Sequence, residues 1–227
     1  DPVPALMTEE RPFVHDPVLL DLVVELFQPV PAGTIVDATL GGAGHAATVL
    51  QSRPDLRVLG LDRDRNALAA AQVRLASFGP RAEAHHARFD QLATVVAAAG
   101  TASQPIVGVL FDLGVSSPQF DDGERGFSYR YDAPLDMRMD QGSGPSAADL
   151  VNTADEHELA GILRRNADER FAGRIARAII AARPIATTGE LADVVVSAIP
   201  APARRKGGFP AKRTFQALRI HVNEELE

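Results

Sequence analysis

The chain has 227 residues, of which 45% are hydrophobic, and its formal net charge is −7. This length and composition support one large domain or two small domains with buried cores. Cysteine is absent, which excludes disulfides, cysteine nucleophiles and zinc–thiolate sites. No apolar run approaches the roughly 18 residues of a membrane span, so we expect a soluble cytoplasmic protein without a membrane partner.

Helix and strand patterns alternate through the first half of the chain. Residues 1–12 lack the basic and apolar pattern of a signal peptide and are predicted to be a disordered lead-in. An apolar stripe at helical spacing then predicts a helix over 17–27. Strands are predicted near 34–37, 57–62, 82–89 and 106–111, with helices between them near 45–50, 64–77 and 90–99. This alternation predicts an α/β fold with a parallel sheet.

The pattern becomes purely helical from about residue 146 to residue 200. Thr187 and Glu190 form a predicted capping box before one of these helices. A last helix has Phe215, Leu218, Val222 and Leu226 at spacings of three or four residues. We therefore predict a core over 13–115, a loop and helical insertion over 116–212, and a helix over 213–227 that returns to the core. Four strands leave a sheet edge uncovered, so we expect the natural protein to continue for about 70–90 residues.

Charge is distributed unevenly along the sequence. Residues 1–163 carry a net charge of −12, whereas residues 164–219 contain 12 basic and four acidic groups, a net of +8. Ten of the 12 basic residues are arginine, which contacts phosphate in a bidentate manner. A solvated helical face is the alternative, but this uneven placement favours a surface that binds phosphate.

A glycine-rich turn joins the first predicted strand to the next helix, in the sequence Asp37-Ala-Thr-Leu-Gly-Gly-Ala-Gly-His45. Glycines such as Gly41, Gly42 and Gly44 let the backbone approach a ligand closely. The spacing also matches the dinucleotide fingerprint, so NAD is one candidate. S-adenosyl-L-methionine (SAM) is the other, because Asp37 suits its cationic end. A structural turn without a ligand is a third interpretation.

Two further residues after predicted strands are candidates for binding a nucleoside. Asp62 ends the second strand, where an acid accepts hydrogen bonds from ribose hydroxyls. Asp64 is expected to cap the following helix. Phe89 follows the third strand and could stack beside an adenine, although a core position is equally expected for a phenylalanine.

The fourth predicted strand is a buried apolar run that ends on Asp112, and the long polar loop over 111–139 follows it. Long loops at the carboxyl ends of parallel strands commonly form active sites. The spacing of the loop carboxylates matches no calcium motif, so no metal is predicted. Ion pairs with Arg125, Arg130 and Arg138 are the preferred interpretation of these carboxylates.

Several segments together resemble a known family, the bacterial 16S rRNA (cytosine-N4)-methyltransferases, also called RsmH or MraW. The resemblance covers residues from about 12 to the end, and its most specific part is the sequence of the long loop. The matching segments are His15–Leu20, Val36–His45, Gly60–Asp64, Phe111–Met139, Ala147–Asn152, Glu169–Phe171, Arg174–Ile179 and Arg213–Ile220.

This resemblance implies a SAM-dependent methyltransferase with a Rossmann-like sheet and an all-helical insertion. The implied substrate is a cytidine in the decoding region of 16S rRNA, within the small ribosomal subunit. As the catalytic proton acceptor for the cytidine amine we expect Asp112, and the backbone carbonyl of Leu113 is the alternative. The implied SAM contacts are Ala43, Gly44, His45, Asp62, Phe89, Asp112 and Gln119, with Asp37, Gly41 and Gly42 as additional candidates. The candidate RNA contacts are Arg204, Arg205, Lys206, Lys212 and Arg213.

The sequence departs from the family pattern at four places, one of which is Ala133 in place of a usual glycine. Ala43 stands where a second glycine is frequent, and an alanine should still allow the turn if its φ is negative. FPAKR replaces the usual HPATR, and a later Gly-Gly block with its strand is missing, which supports the expectation of a longer natural protein. An NAD(P)-dependent oxidoreductase and a non-catalytic RNA-binding assembly factor remain the alternative functions. The sequence predicts no oligomeric state.

Overall fold

The computed structural model describes residues 17–99, 104–114, 123–204 and 208–226. The chain divides into two compact units, the first ending at Leu113 and the second beginning at Gly114. Within the described ranges, every helix is too short or too polar to cross a membrane.

The first unit is built on a four-stranded parallel sheet. Its strands are β1 (Gly33–Asp37), β2 (Leu56–Asp62), β3 (Ala82–His86) and β4 (Ile106–Leu110). The strand order is β3-β2-β1-β4, which confirms the predicted α/β fold. The direction of winding reverses between β1 and β4, and ligands bind at such a switch point, outside the carboxyl ends of the strands.

Helices cover both faces of this sheet. They are α1 (Leu20–Phe27), α2 (Gly44–Ser52), α3 (Arg65–Leu75) and α4 (Leu92–Ala98), with 3₁₀ turns at Ala76–Arg81 and Phe89–Gln91. Side chains of α1, α2 and α3 share one core with Ile35 and Val58. Side chains of α4 pack against Val36, Leu59 and Leu61 on the opposite face. This arrangement buries all five residues of β1, which therefore forms a rigid base for the turn that follows it.

Two features of this unit differ from what the sequence pattern predicts. The fourth strand was expected to be buried, but Val109 and Phe111 are 45% and 48% exposed. The reason is the strand order, which places β4 at an edge of the described sheet. The apolar stripe of α1 is also only partly covered, since Leu22 and Leu26 are exposed while Phe27 is buried. Strand order and helix orientation are long-range properties that a local pattern does not determine.

The second unit is helical, as predicted. It contains α5 (Ala147–Thr153), α6 (Glu156–Ala167), α7 (Ala172–Ala182), α8 (Thr188–Ala198), α9 (Ala201–Arg204) and α10 (Lys212–Val222), with a 3₁₀ turn at Gly123–Arg125. The predicted capping box is confirmed at the start of α8, where Thr187 accepts a hydrogen bond from the Glu190 amide at 3.2 Å. The Glu190 carboxylate in turn accepts from the Thr187 amide at 3.2 Å.

The last helix, α10, lies in the second unit. Its side chains Phe215 and Leu218 are buried in the same core as Ile162 and Ile175. Its apolar face packs against α6. The return of this helix to the methyltransferase core stays a prediction. Leu226, predicted to belong to the same face, lies beyond the end of the helix and is 72% exposed.

The described part of the long loop, from residue 123 onward, is held by polar contacts in the second unit. The Asn223 side chain accepts a hydrogen bond from the Met139 amide at 2.8 Å and donates one to the Met137 carbonyl at 2.7 Å. The predicted pairing of a loop carboxylate with Arg138 is confirmed, because Arg138 Nε lies 2.8 Å from Asp136 Oδ1. These contacts fix the loop to α10, over 80 residues away in sequence.

Candidate functional site

Three carboxylates converge at the carboxyl edge of the sheet in the first unit. Asp37 is the last residue of β1, Asp62 is the last residue of β2, and Asp112 follows β4. Because all four strands are parallel and β1 lies between β2 and β4, these three ends face the same side. The structure therefore brings together three residues that the sequence predicted separately.

The glycine-rich turn between β1 and α2 forms one wall of this site. It is fastened to the neighbouring strand by a hydrogen bond from the Leu40 amide to the Leu61 carbonyl at 2.8 Å. Gly41 has a φ of 52°, in the left-handed region that glycine enters without strain. Ala43 also has a positive φ, 60°, so the turn forms although the condition of a negative angle is not met. The buried turn imposes this conformation on a residue with a Cβ.

Asp62 connects the turn to the second strand. Its Oδ2 accepts a hydrogen bond from the Gly41 amide at 2.7 Å, and its Oδ1 accepts one from the Asp64 amide at 2.8 Å. Burial raises the pKa of Asp62, while these two hydrogen bonds oppose the increase. Asp64 caps α3 as predicted, since its side chain accepts from the Asn66 and Ala67 amides. Asp62 is thus the residue of the pair that is oriented toward the glycine-rich turn.

Asp37 is the most buried of the three acids, with 2% of its surface exposed. Burial raises the pKa of Asp37 to about 7, and the negative charges of Asp62 and Asp112 add to this increase. One hydrogen bond opposes it, because Asp37 Oδ1 accepts from the Thr39 amide at 3.2 Å. Among the described residues, no cation contributes to the pKa of Asp37. A cationic ligand would stabilise its ionised form.

Thr39 links the first and fourth strands at the switch point, a role that the sequence did not reveal. Its Oγ1 accepts a hydrogen bond from the Asp112 amide at 2.7 Å. Beside it, the Ala38 amide donates to the Leu110 carbonyl at 2.9 Å. The Asp-x-Thr spacing is typical of an Asx turn and predicts the contact between Asp37 and Thr39. It does not predict the hydrogen bond between Thr39 and Asp112, which lies 73 residues away.

An aromatic pair lies near the strand ends. The rings of Phe89 and Phe111 meet edge to face, with centroids 6.1 Å apart. Phe89 is half-buried and Phe111 is 48% exposed, so both rings retain accessible surface. The stacking of Phe89 on an adenine stays a prediction.

Two residues at the start of α2 pack against the segment that precedes α1. His45 Nε2 lies 2.9 Å from the Val18 carbonyl oxygen, which can only accept, so Nε2 carries the proton. A Cβ built on Gly44 would lie 2.3 Å from Pro17 Cγ, and glycine is therefore required there for close packing. These contacts account for His45 and Gly44 within the protein, and their contacts with a cofactor stay predictions, as does that of Gly42.

The remaining candidates lie in the second unit or outside the described residues. Arg204 donates hydrogen bonds to the Ile199 and Ser197 carbonyls, and Arg213 donates to the Asp168 carbonyl. Lys212 is exposed at the start of α10. Outside the described residues lie Gln119, Arg205 and Lys206.

The chain is similar in sequence to known methyltransferases. A model of the MraW methylase family matches residues 12–227. The chain is 53% identical to proteins named ribosomal RNA small subunit methyltransferase H from Symbiobacterium thermophilum and Mycolicibacterium gilvum, and 51% identical to one from Mycobacterium avium. The matches cover 94%, 100% and 98% of this chain and 68%, 62% and 61% of those relatives, respectively, so the relatives are longer.

Proposed function

The chain belongs to the MraW methylase family, and on that premise we propose that it transfers a methyl group from SAM to N4 of a cytidine in 16S rRNA. The curated relatives carry names that specify methylation of small-subunit ribosomal RNA. We extend that substrate to this chain, together with a cytoplasmic location and the small ribosomal subunit as partner.

The observation that carries the proposal is the cluster of Asp37, Asp62 and Asp112 beside the glycine-rich turn. SAM combines an ammonium and a sulfonium, and the raised pKa of buried Asp37 marks a position where a cation is favourable. A pyrophosphate would be repelled by the same carboxylates. This chemistry supports SAM over NAD(P), although both have a ribose.

Each residue of the site has a distinct role in the proposal. Asp62 accepts hydrogen bonds from the ribose hydroxyls, while its contact with the Gly41 amide holds the turn. Phe89 lies against the adenine ring. Asp37, ionised in the complex, stabilises the cationic end of the ligand. When bound, SAM supplies the electrophilic methyl group.

Asp112 is the proposed proton acceptor on the RNA side of the site. The lone pair of cytosine N4 is delocalised into the ring, so the amine is a poor nucleophile. An N4–H hydrogen bond to Asp112 returns electron density to nitrogen. The N–C bond forms as the C–S bond breaks, and the proton that N4 loses passes to the Asp112 carboxylate. Alignment of the two reactants can contribute roughly 7–11 kcal/mol to lowering the barrier.

Thr39 is a positioning residue in this scheme. Its hydroxyl group accepts from the Asp112 backbone amide and its own amide donates to Asp37, so it connects the cofactor side to the proton acceptor. The target cytidine must be unpaired or flipped out of its helix to reach this edge of the sheet.

Calorimetry with SAM and with NADH tests the cofactor assignment. The proposal predicts saturable binding of SAM that weakens in the Asp62→Asn variant, and no saturable binding of NADH. Binding of NADH alone would contradict it. A protein that retains 16S rRNA but transfers no methyl group to it would instead be a non-catalytic assembly factor.

A further inference from the structure

Four arginines on helices α6, α7 and α9 of the second unit are exposed, and we call them the arginine surface: Arg164, Arg174, Arg177 and Arg204. Arg174 and Arg177 line a surface cavity of about 460 Å³ together with Ala178 and Ala198. Of these four residues, only Arg204 is a predicted RNA contact from the sequence. The spacing of the other three is that of an ordinary solvent-exposed helix face.

Two guanidinium groups converge over Gly173, near the start of α7. A Cβ built on this glycine would lie 3.5 Å from Arg164 Nη2 and 3.9 Å from Arg177 Nη1. Both nitrogens thus lie within 4 Å of one point, although Arg164 belongs to α6 and Arg177 to α7. An anion placed at this point would be attracted by both positive charges.

The other two arginines are fixed at the end of α8. Arg174 Nε donates to the Ala198 carbonyl at 3.1 Å, and Arg204 Nε donates to the Ile199 carbonyl at 2.7 Å. A guanidinium group has five N–H donors, so these bonds orient each side chain and leave further donors for a ligand. Because these two side chains are already oriented, binding of a phosphate would cost less side-chain conformational entropy.

One acidic side chain competes for the arginine surface. Glu156 Oε1 lies 3.0 Å from Arg177 Nη1, and both side chains are about half exposed. Exposed ion pairs of this kind contribute little to stability, so a phosphate can replace Glu156 at small cost. The segment that contains the four arginines, 164–219, has a net charge of +8 in a protein of net charge −7. This contrast favours a polyanion as ligand over a single small anion.

We propose that the arginine surface binds consecutive phosphates of the RNA backbone, with Arg164 and Arg177 sharing one phosphate over Gly173. This inference rests on the proposed function, since it assigns part of the substrate contact to named residues. Arginine is suited to the role because its planar fork contacts phosphate oxygens in pairs. Phosphate contacts of this type set the register of an RNA without reading its sequence.

The test places a carboxylate between the two guanidinium groups without removing either. Gly173→Asp introduces a charge that pairs with Arg164 and Arg177, and Gly173→Asn is its neutral, isosteric control. Both side chains fit, because the Cβ contacts at 3.5 and 3.9 Å are ordinary van der Waals distances. Near the start of a helix an acidic residue is favourable, so the Asp variant is expected to fold.

Binding of a 16S rRNA transcript is measured over a range of salt concentrations, with SAM binding measured in parallel. We expect the aspartate variant to bind RNA roughly tenfold more weakly at low salt, with a salt slope smaller by about 1–2 than that of the asparagine variant. Equal salt slopes would overturn the inference while leaving the proposed function intact. Tighter binding of polyglutamate than of RNA would identify a site for acidic proteins and also overturn it. Absence of RNA binding by the wild-type protein would overturn both proposals.

Discussion

The Thr39 hydroxyl oxygen accepts a hydrogen bond from the Asp112 amide at 2.7 Å, across 73 residues of sequence. This bond joins the loop after β1 to the end of β4, at the point where the sheet reverses its direction of winding. Asp112 itself is exposed, so its backbone is positioned by the threonine and not by burial of its side chain.

Replacing Thr39 should therefore reduce catalysis more than binding of the methyl donor. In Thr39→Val the Asp112 amide loses its acceptor, at a cost of about 0.5–1.5 kcal/mol, so we expect kcat to decrease roughly two- to tenfold. Thr39→Ser keeps the hydroxyl group and should retain most of the activity. Steady-state kinetics with separate kcat and KM values provides the measurement. A Val variant with unchanged kcat would show that the bond does not position Asp112.

Asp62 should be much more sensitive to substitution than its neighbour Asp64. Asp62→Asn leaves one acceptor for two backbone amides, Gly41 and Asp64, and hydrogen bonds to charged groups contribute about 1.5–3 kcal/mol. We expect at least about a tenfold loss of SAM affinity by calorimetry. Asp64→Asn is the matched control, because asparagine caps a helix as well as aspartate does. Equal effects of the two substitutions would refute the assignment of Asp62.

The buried carboxyl group of Asp37 predicts a specific dependence of stability on pH. Its pKa is about 7 in the folded chain and ordinary, near 4, in the unfolded chain. Between about pH 4 and pH 7 the folded state binds more protons than the unfolded state. The contribution of Asp37 to the free energy of unfolding therefore falls by about 1.4 kcal/mol for each pH unit as pH rises, and it levels off above about pH 7. Urea unfolding measures this dependence. From about pH 4 to pH 7 the wild type should lose stability relative to Asp37→Asn, so that the difference between their free energies of unfolding changes steadily over this range. A constant difference would contradict the raised pKa.

The raised pKa of Asp37 also predicts that the protein releases protons when SAM binds. If the cationic ligand favours ionised Asp37, the complex should release about half a proton at pH 7, where the free site is half protonated. Calorimetry in two buffers with different ionisation enthalpies measures this number directly. Asp37→Asn should abolish the difference between buffers. The prediction fails if the wild type gives equal binding enthalpies in both.

Asn223 should stabilise the second unit more than a comparable asparagine does. Asn223→Ala removes the partners of the buried Met139 amide and Met137 carbonyl, and we expect a loss of about 2–4 kcal/mol in the free energy of unfolding. Asn166→Ala is the control. Its half-buried side chain donates one hydrogen bond to the Ala217 carbonyl, worth about 0.5–1.5 kcal/mol. Similar losses, measured by urea unfolding, would show that the loop is not held through Asn223.

Sequence patterns predicted the features that depend on neighbouring residues. The apolar run before Asp37, the capping role of Asp64 and the capping box of Thr187 and Glu190 are all local, and the structure confirms each of them. The parallel sheet also followed from local alternation of helices and strands.

Features that depend on distant partners were not predicted. Neither the bond between Thr39 and Asp112 nor the contacts of Asn223 has a signature in the surrounding sequence. The edge position of β4 depends on strand order, and the convergence of Arg164 and Arg177 depends on the packing of α6 against α7. The buried turn imposes a positive φ on Ala43, although an alanine ordinarily prefers a negative φ.

The most direct measurement is transfer of a tritiated methyl group from SAM to small ribosomal subunits that lack the modification, followed by nucleoside analysis. The proposal predicts label in N4-methylcytidine with the wild-type protein. Asp112→Ala should still bind SAM but transfer the label about 100-fold or more slowly, since a positioned proton acceptor contributes about 10²–10⁴-fold. Full activity of this variant would exclude Asp112 as acceptor and favour the neighbouring Leu113 carbonyl. Absence of label from cytidine with the wild-type protein would contradict the proposed function itself.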